Sequence, residues 1–132
     1  MNRVLSDVLA AQNPWVLVVG NETGLAKRLK AQNINSFVVE TPCEAIELLR
    51  EIIYSGSFCD GLLVDYTPPD AATFKILEDF RDEFWDVPLA LMMGFENMSP
   101  DIWSWSRHIP IFQKPLQMTE LESWIHDRRK SA

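Results

Sequence analysis

Trp15-Val-Leu-Val-Val19 is the stretch that decides the fold of this 132-residue chain. It is a continuous and largely β-branched apolar run that ends at Gly20, with no polar alternation. A strand of this kind is covered on both faces, as strands are in parallel sheets that pack between two layers of helices. The sequence therefore predicts a parallel strand with helices on either side.

Four further apolar runs have the length of strands. They lie at residues 36–39, 61–64, 88–93 and 109–112. Amphipathic stretches at helical spacing separate the runs, and strands that alternate with helices predict a parallel sheet with right-handed crossovers. The predicted fold is α/β: a three-layer, doubly wound (βα)5 arrangement of the flavodoxin-like type, with strand order 2-1-3-4-5.

Two capping boxes predict where helices begin. In the first, Thr41 caps the helix, Pro42 takes the first helical position and Glu44 reaches back toward the cap. In the second, Thr119-Glu-Leu-Glu122 opens the last helix. Another helix is predicted near residues 99–105, before the fifth strand.

The chain has the size of one domain, which we assign to residues 14–127. Residues 1–13 form an N-terminal extension, and the spacing of its apolar residues predicts an extra helix over residues 2–11. Residues 128–132 are interpreted as a tail or the start of a linker.

Composition narrows the class of protein. A net charge of −7 and a pI near 4.7 disfavour binding of nucleic acid by this domain, because its phosphates would be repelled. No apolar run is long enough to span a bilayer, and the first residues make a poor signal peptide, so we expect a cytoplasmic protein without membrane contact. Cys43 and Cys59 lack the spacing of metal ligands and are expected to be small apolar residues in a reducing compartment.

Ligands of doubly wound sheets bind beyond the carboxyl ends of the strands. We expect the residues at those ends to converge on one pocket. They are Gly20, Asn21, Glu22, Asp65, Met93 and Lys114.

Three motifs at these strand ends resemble the response regulator receiver family. They are Val-Leu-Val-Val-Gly20-Asn21-Glu22, Leu-Leu-Val-Asp65-Tyr-Thr-Pro-Pro69 and Ile-Phe-Gln-Lys114-Pro115. The resemblance covers about residues 14–127. It implies that Asp65 is equivalent to the aspartate that accepts a phosphoryl group from a histidine kinase. Lys114 is then equivalent to the lysine that pairs with that group, and a cis peptide bond precedes Pro115.

The sequence departs from the family at the positions that bind metal and phosphoryl groups. The family holds Mg²⁺ with an acidic pair, which Gly20 and Asn21 replace here. The other metal-pocket positions are Glu22, outside the family's first ligand shell, and Thr67, in the loop. Since Mg²⁺ is anchored by carboxylates, we expect weak Mg²⁺ binding and no other cofactor or metal.

The family's switch positions have also changed. The hydroxyl position carries Met93, whose thioether cannot donate a hydrogen bond, and the aromatic switch position carries Ile111. Three roles stay open for Asp65: a buried or capping aspartate, a residual phosphoacceptor, or a fixed ionic partner of Lys114. In the third role the ion pair would hold the pocket in one state.

In the family, the face made by the fourth helix, fifth strand and fifth helix docks partners or dimerises. Here that face would carry Trp103, Trp105, Phe112 and Trp124. Trp103 and Trp105 are two residues apart, so on a helix they cannot both point inward, and exposed tryptophans are enriched in interface hot spots. The predicted partner is another protein or a second copy, possible partners including a histidine kinase or a C-terminal effector domain. Core packing of the tryptophans is the alternative.

The leading hypothesis is therefore a non-enzymatic two-component receiver module that works by protein–protein contact, with its phosphorylation pocket degraded, a pseudo-receiver. The alternative is a functional phosphorelay receiver phosphorylated at Asp65 with Mg²⁺. A third hypothesis, a nucleotide or flavin binder, has weak support, because Gly20-Asn-Glu-Thr-Gly24 is too sparse for a phosphate-binding loop.

Overall fold

Five parallel strands form one sheet in the computed structural model, which describes residues 14–20, 24–56, 59–65, 71–84, 86–94 and 109–131. The strands are β1 (Trp15–Val19), β2 (Asn35–Val39), β3 (Leu62–Asp65), β4 (Leu89–Met93) and β5 (Ile111–Gln113). Their order is β2-β1-β3-β4-β5, and every neighbouring pair is parallel. This confirms the predicted fold class.

Four helices belong to the described residues. They are α1 (Leu25–Ala31), α2 (Pro42–Tyr54), α3 (Ala71–Glu83) and α4 (Met118–Ser131). None of these helices combines the length and the apolar character needed to cross a membrane. The helices predicted at residues 2–11 and 99–105 lie outside the described residues.

The first capping box is confirmed at the start of α2. The Thr41 hydroxyl accepts a hydrogen bond from the Glu44 amide at 3.2 Å, and Pro42 is the first helical residue. The Glu44 carboxylate reaches back to the amide of Glu40, at 3.4 Å, rather than to the amide of the cap itself. The cap fixes the direction of α2 as it leaves β2.

The second capping box is wrong in its position. Helix α4 starts at Met118, so Thr119 lies inside the first turn, and the carbonyl of Gln117 accepts the hydrogen bond from the Leu121 amide. The helix also extends to Ser131, into the residues assigned to a tail, because arginine and lysine are good helix formers.

The fifth strand begins two residues later than predicted. The apolar run starts at Ile109, but Pro110 has no N–H and cannot donate to the ladder. Its carbonyl still accepts a hydrogen bond from Leu91, at 3.0 Å. Regular pairing with β4 therefore starts at Ile111, opposite Leu91.

The sheet separates two apolar clusters. On one side, strand residues such as Leu17 and Leu91 pack against α2 and α3 through Leu49 and Phe80. On the other side, a second cluster packs against α1 and α4; it includes Val16, Val18, Leu29, Leu63, Met92, Leu121 and Ile125. All five residues of β1 are buried, which explains why this strand has no polar alternation.

Charge is distributed unevenly over the two helical layers. Helices α2 and α3 together carry seven acidic and three basic residues. Helix α1, on the opposite side of the sheet, carries three basic and no acidic residues. The sequence of α4 contains three of each sign.

Candidate functional site

Asp65 and Lys114 form an ion pair at the carboxyl end of the sheet. Asp65 is the last residue of β3, and Lys114 directly follows β5. The Lys114 ammonium lies 2.9 Å from Oδ1 of Asp65, and the two side chains are 25% and 15% exposed, respectively. The Lys114 amide is fixed by a 3.0 Å hydrogen bond to the carbonyl of Met93, at the end of β4 between them. Of the three roles left open for Asp65, this contact supports the ionic partner.

Gly20 lies against Asp65 at the end of β1. A Cβ atom added to Gly20 would be only 2.6 Å from the Cβ of Asp65. The φ angle of Gly20 is +123°, a conformation that glycine adopts readily and L-residues rarely do. Its amide donates to the carbonyl of Val39 at 2.9 Å, which ties it to the end of β2. The sequence identified Gly20 only as a missing metal ligand, since a pattern of residues carries no signal for this contact.

The bond between Lys114 and Pro115 is cis, as the resemblance implied. The next residue, Leu116, is buried in the cluster below α1 and α4. This segment carries the backbone from β5 toward α4, with Lys114 over the strand ends.

The two switch positions are occupied by apolar packing residues. Met93 is fully buried in the cluster beside α2 and α3, and Ile111 packs against the same cluster while half-buried. A thioether and an alkyl chain offer no hydrogen-bond donor for a phosphoryl oxygen. Neither side chain can therefore report a charge placed on Asp65 by hydrogen bonding.

The described residues do not fit a divalent cation at this edge of the sheet. Of the predicted pocket positions that the structure describes, only Asp65 carries a carboxylate, and one of its oxygens is engaged by an ammonium. Glu40, which follows β2 at the same edge of the sheet, is exposed. Gly20 supplies no side chain. No group of three acidic, histidine or cysteine residues in the described ranges is arranged to hold a metal. Asn21, Glu22 and Thr67 lie outside these ranges.

Two residues of the predicted partner face are packed into the domain instead. Phe112 is buried, and its ring meets that of Trp124 edge-on, with centroids 5.7 Å apart. Phe112 is on the face of β5 turned toward α1 and α4, so its assignment to an exposed surface is wrong. Trp124 is half-buried against the same cluster. Trp103 and Trp105 lie outside the described residues.

Trp124 also packs against Gly61, a contact that residue spacing does not predict. A Cβ on Gly61 would lie 2.7 Å from the edge of the indole ring. The indole N–H of Trp124 is buried and has no hydrogen-bond partner among the residues that the structure describes. The ring therefore joins α4 to the start of β3 through close van der Waals packing.

The start of β3 is tied to β1 by Asp60, another residue that sequence reasoning missed. This buried carboxylate accepts a 2.9 Å hydrogen bond from the amide of Trp15. The neighbouring Cys59 thiol donates to the carbonyl of Gly61, at 3.1 Å, and burial raises the pKa of Cys59 to about 12. Cys59 is thus a core residue, as predicted, whereas Cys43 is exposed.

Solved structures of receiver domains are similar to this chain in fold. The response regulator receiver domain protein of Clostridium thermocellum has a TM-score of 0.69 at 16% identity, covering 89% of this chain and 97% of that chain. The receiver domain protein of Methanospirillum hungatei has a TM-score of 0.69 at 15% identity, covering 92% and 100%. The receiver domain of a Francisella response regulator has a TM-score of 0.65 at 19% identity, covering 90% and 98%.

Sequence comparison adds no closer relative: no family model matches the chain, and no curated protein matches it. One structure of the same fold is described as an adenylate cyclase from Rhodopirellula baltica, with a TM-score of 0.65 and 17% identity, over 89% of this chain and 88% of that one. At such identities the likeness establishes the fold of receiver domains, and function has to be argued from the residues of the site.

Proposed function

We propose that this chain is a two-component receiver module that signals through protein–protein contact, without using Asp65 as a phosphoryl acceptor. The observation that carries the proposal is the set of groups around Asp65: Gly20 offers no ligand and Met93 no hydrogen-bond donor, and the Lys114 ammonium lies 2.9 Å from the carboxylate. In this arrangement the lysine neutralises the carboxylate itself, so the pocket has its counter-charge before any phosphoryl group or metal arrives.

The chemistry of the pocket supports the same conclusion. Transfer of a phosphoryl group needs its developing charge to be neutralised, usually by a divalent cation. Of the predicted pocket positions that the structure describes, only Asp65 offers a carboxylate for such a cation, and Met93 offers no donor to the phosphoryl oxygens. The domain would therefore act as a non-enzymatic module with one resident state, bound by its partner in that state.

The proposed partner is another protein or a second copy of this chain. Phe112 and Trp124 are taken up by internal packing, so within the predicted face such contact would depend on Trp103 and Trp105. The acidic surface of α2 and α3 disfavours nucleic acid as a ligand of this domain, because phosphates would be repelled. The cytoplasmic location stays a prediction.

The alternative, a working phosphorelay receiver, is favoured by one observation: Asp65 stands at the end of β3 and keeps a lysine beside it. Titration of the protein with beryllofluoride in the presence of Mg²⁺, followed by tryptophan fluorescence and amide NMR shifts, separates the two functions. We expect no saturable change, and the same trace for the Asp65→Asn variant. A saturable change that this variant abolishes would refute the proposal and establish the alternative.

A further inference from the structure

We infer that the cation site of this pocket is closed by the backbone at Gly20, and that restoring a carboxylate at position 20 would not reopen it. The inference rests on the proposed function and deepens it, because it names a physical obstacle to a metal ligand at the position beside Asp65.

The first obstacle is the space beside Asp65. Non-bonded carbon atoms prefer separations of about 3.5–4.0 Å, whereas a Cβ at position 20 would lie 2.6 Å from the Cβ of Asp65. Any residue other than glycine therefore has to push the two strand ends apart by roughly 1 Å. This contact is with the Cβ of Asp65, the first atom of its side chain, which rotation about χ1 does not move.

Neither strand end is free to yield. Gly20 is held by its hydrogen bond to Val39, at 2.9 Å. Asp65 is paired with Met92 in the ladder between β3 and β4, and its carboxylate is held by Lys114. Displacing either residue breaks contacts with a neighbouring strand.

The second obstacle is the backbone conformation. At a φ of +123° the Cβ of an L-residue clashes with its own peptide groups, so an aspartate at position 20 would be strained even with open space around it. The two obstacles are independent, since the first depends on Asp65 and the second does not. Together they exclude a carboxylate side chain at position 20 as long as the backbone follows its present path.

A double-mutant cycle between Gly20→Ala and Asp65→Gly tests the steric contact without adding charge. We expect Gly20→Ala to lower the urea midpoint clearly in the wild-type background, and to lower it by about half as much in the Asp65→Gly background. The remaining half reflects the φ angle, which is unchanged by removing the Asp65 side chain. The inference would be overturned if Gly20→Ala had the same urea midpoint as the wild type, or if Gly20→Ala lowered the urea midpoint equally in both backgrounds.

Magnesium titrations by calorimetry test the consequence, using the wild type, Asn21→Asp, and Gly20→Asp combined with Asn21→Asp. We expect the double variant to bind Mg²⁺ no more tightly than Asn21→Asp alone. If it is folded and binds at least tenfold more tightly, in a manner that Asp65→Asn abolishes, the inference is wrong. If the double variant does not fold, the Gly20→Ala cycle decides the question.

The two claims fail in different ways. A saturable response of the wild type to beryllofluoride with Mg²⁺ would refute the proposed function. It would not change the steric contact that the Gly20→Ala cycle measures. A double variant that gains tight Mg²⁺ binding would end the inference while leaving the behaviour of the wild type unchanged.

Discussion

Replacing Lys114 by methionine removes the ammonium next to Asp65 while keeping an unbranched apolar stem in its place. At a separation of 2.9 Å and an effective dielectric constant of about 20, the gross attraction is about 6 kcal/mol. Desolvation of both groups offsets most of it. Exposed pairs contribute about 0–1 kcal/mol, and loss of one member of a fully buried pair costs about 3–5 kcal/mol.

The side chains of Asp65 and Lys114 are 15% and 25% exposed, so their pair falls between these limits. We expect Lys114→Met to destabilise the protein by about 2 kcal/mol, since Asp65 then keeps a half-shielded charge without a partner. For a urea m-value of about 2 kcal/mol per molar, the midpoint falls by about 1 M. Asp65→Asn should cost less, because the lysine can extend into solvent.

A double-mutant cycle with Lys114→Met and Asp65→Asn, followed by tryptophan fluorescence in urea, measures the coupling. The matched control is Arg50 and Glu83, a two-bonded pair at 2.7 Å whose side chains are far more exposed. In about 1 M salt, where the Debye length is about 3 Å, the Arg50–Glu83 coupling should fall by a larger fraction than the Asp65–Lys114 coupling, because salt screens exposed pairs more than partly buried ones. Equal couplings, or loss of both in salt, would refute the reasoning.

Three further results are expected. Gly61→Ala should destabilise the protein by about 1–3 kcal/mol, measured by urea unfolding, because its Cβ would lie 2.7 Å from the Trp124 ring. A urea midpoint equal to that of the wild type would show that α4 can move away without loss of stability. In thiol titration near neutral pH, exposed Cys43 should react at once and Cys59, with its pKa raised to about 12, only on unfolding; rapid reaction of both in the native protein would contradict the burial. The hydrogen bond from Arg50 lowers the pKa of Glu83 in the folded state. The difference in folding stability between wild type and Glu83→Gln should therefore be constant above the unfolded pKa of Glu83 and should disappear as the pH falls through the lowered folded pKa. A stability difference that grows in acid would contradict this expectation.

The architecture was predictable because its signals are local. The uninterrupted apolar run of β1 indicated a strand buried on both faces, and Thr41 with Pro42 located the start of α2. At β5 the same reasoning was two residues off, because an apolar run does not show that Pro110 cannot join the ladder.

The site was predictable in position and less so in detail. Topology alone brought Asp65 and Lys114 to one edge of the sheet, where they lie 2.9 Å apart, and the beryllofluoride titration is needed to decide among the three roles of Asp65. The contact of Gly20 with Asp65 depends on a φ angle and on how closely two strands approach, and neither is encoded in residue spacing. Phe112 was misassigned because a three-residue strand is too short for alternation to reveal its buried face.

The unequal charges of the described helices form an electric dipole, with its negative end at α2 and α3 and its positive end at α1. The field of this dipole would orient the domain relative to an approaching charged molecule, so that the helical layer of opposite charge faces that molecule more often at encounter. This alignment acts on the rate of association more than on its strength, and added salt weakens it.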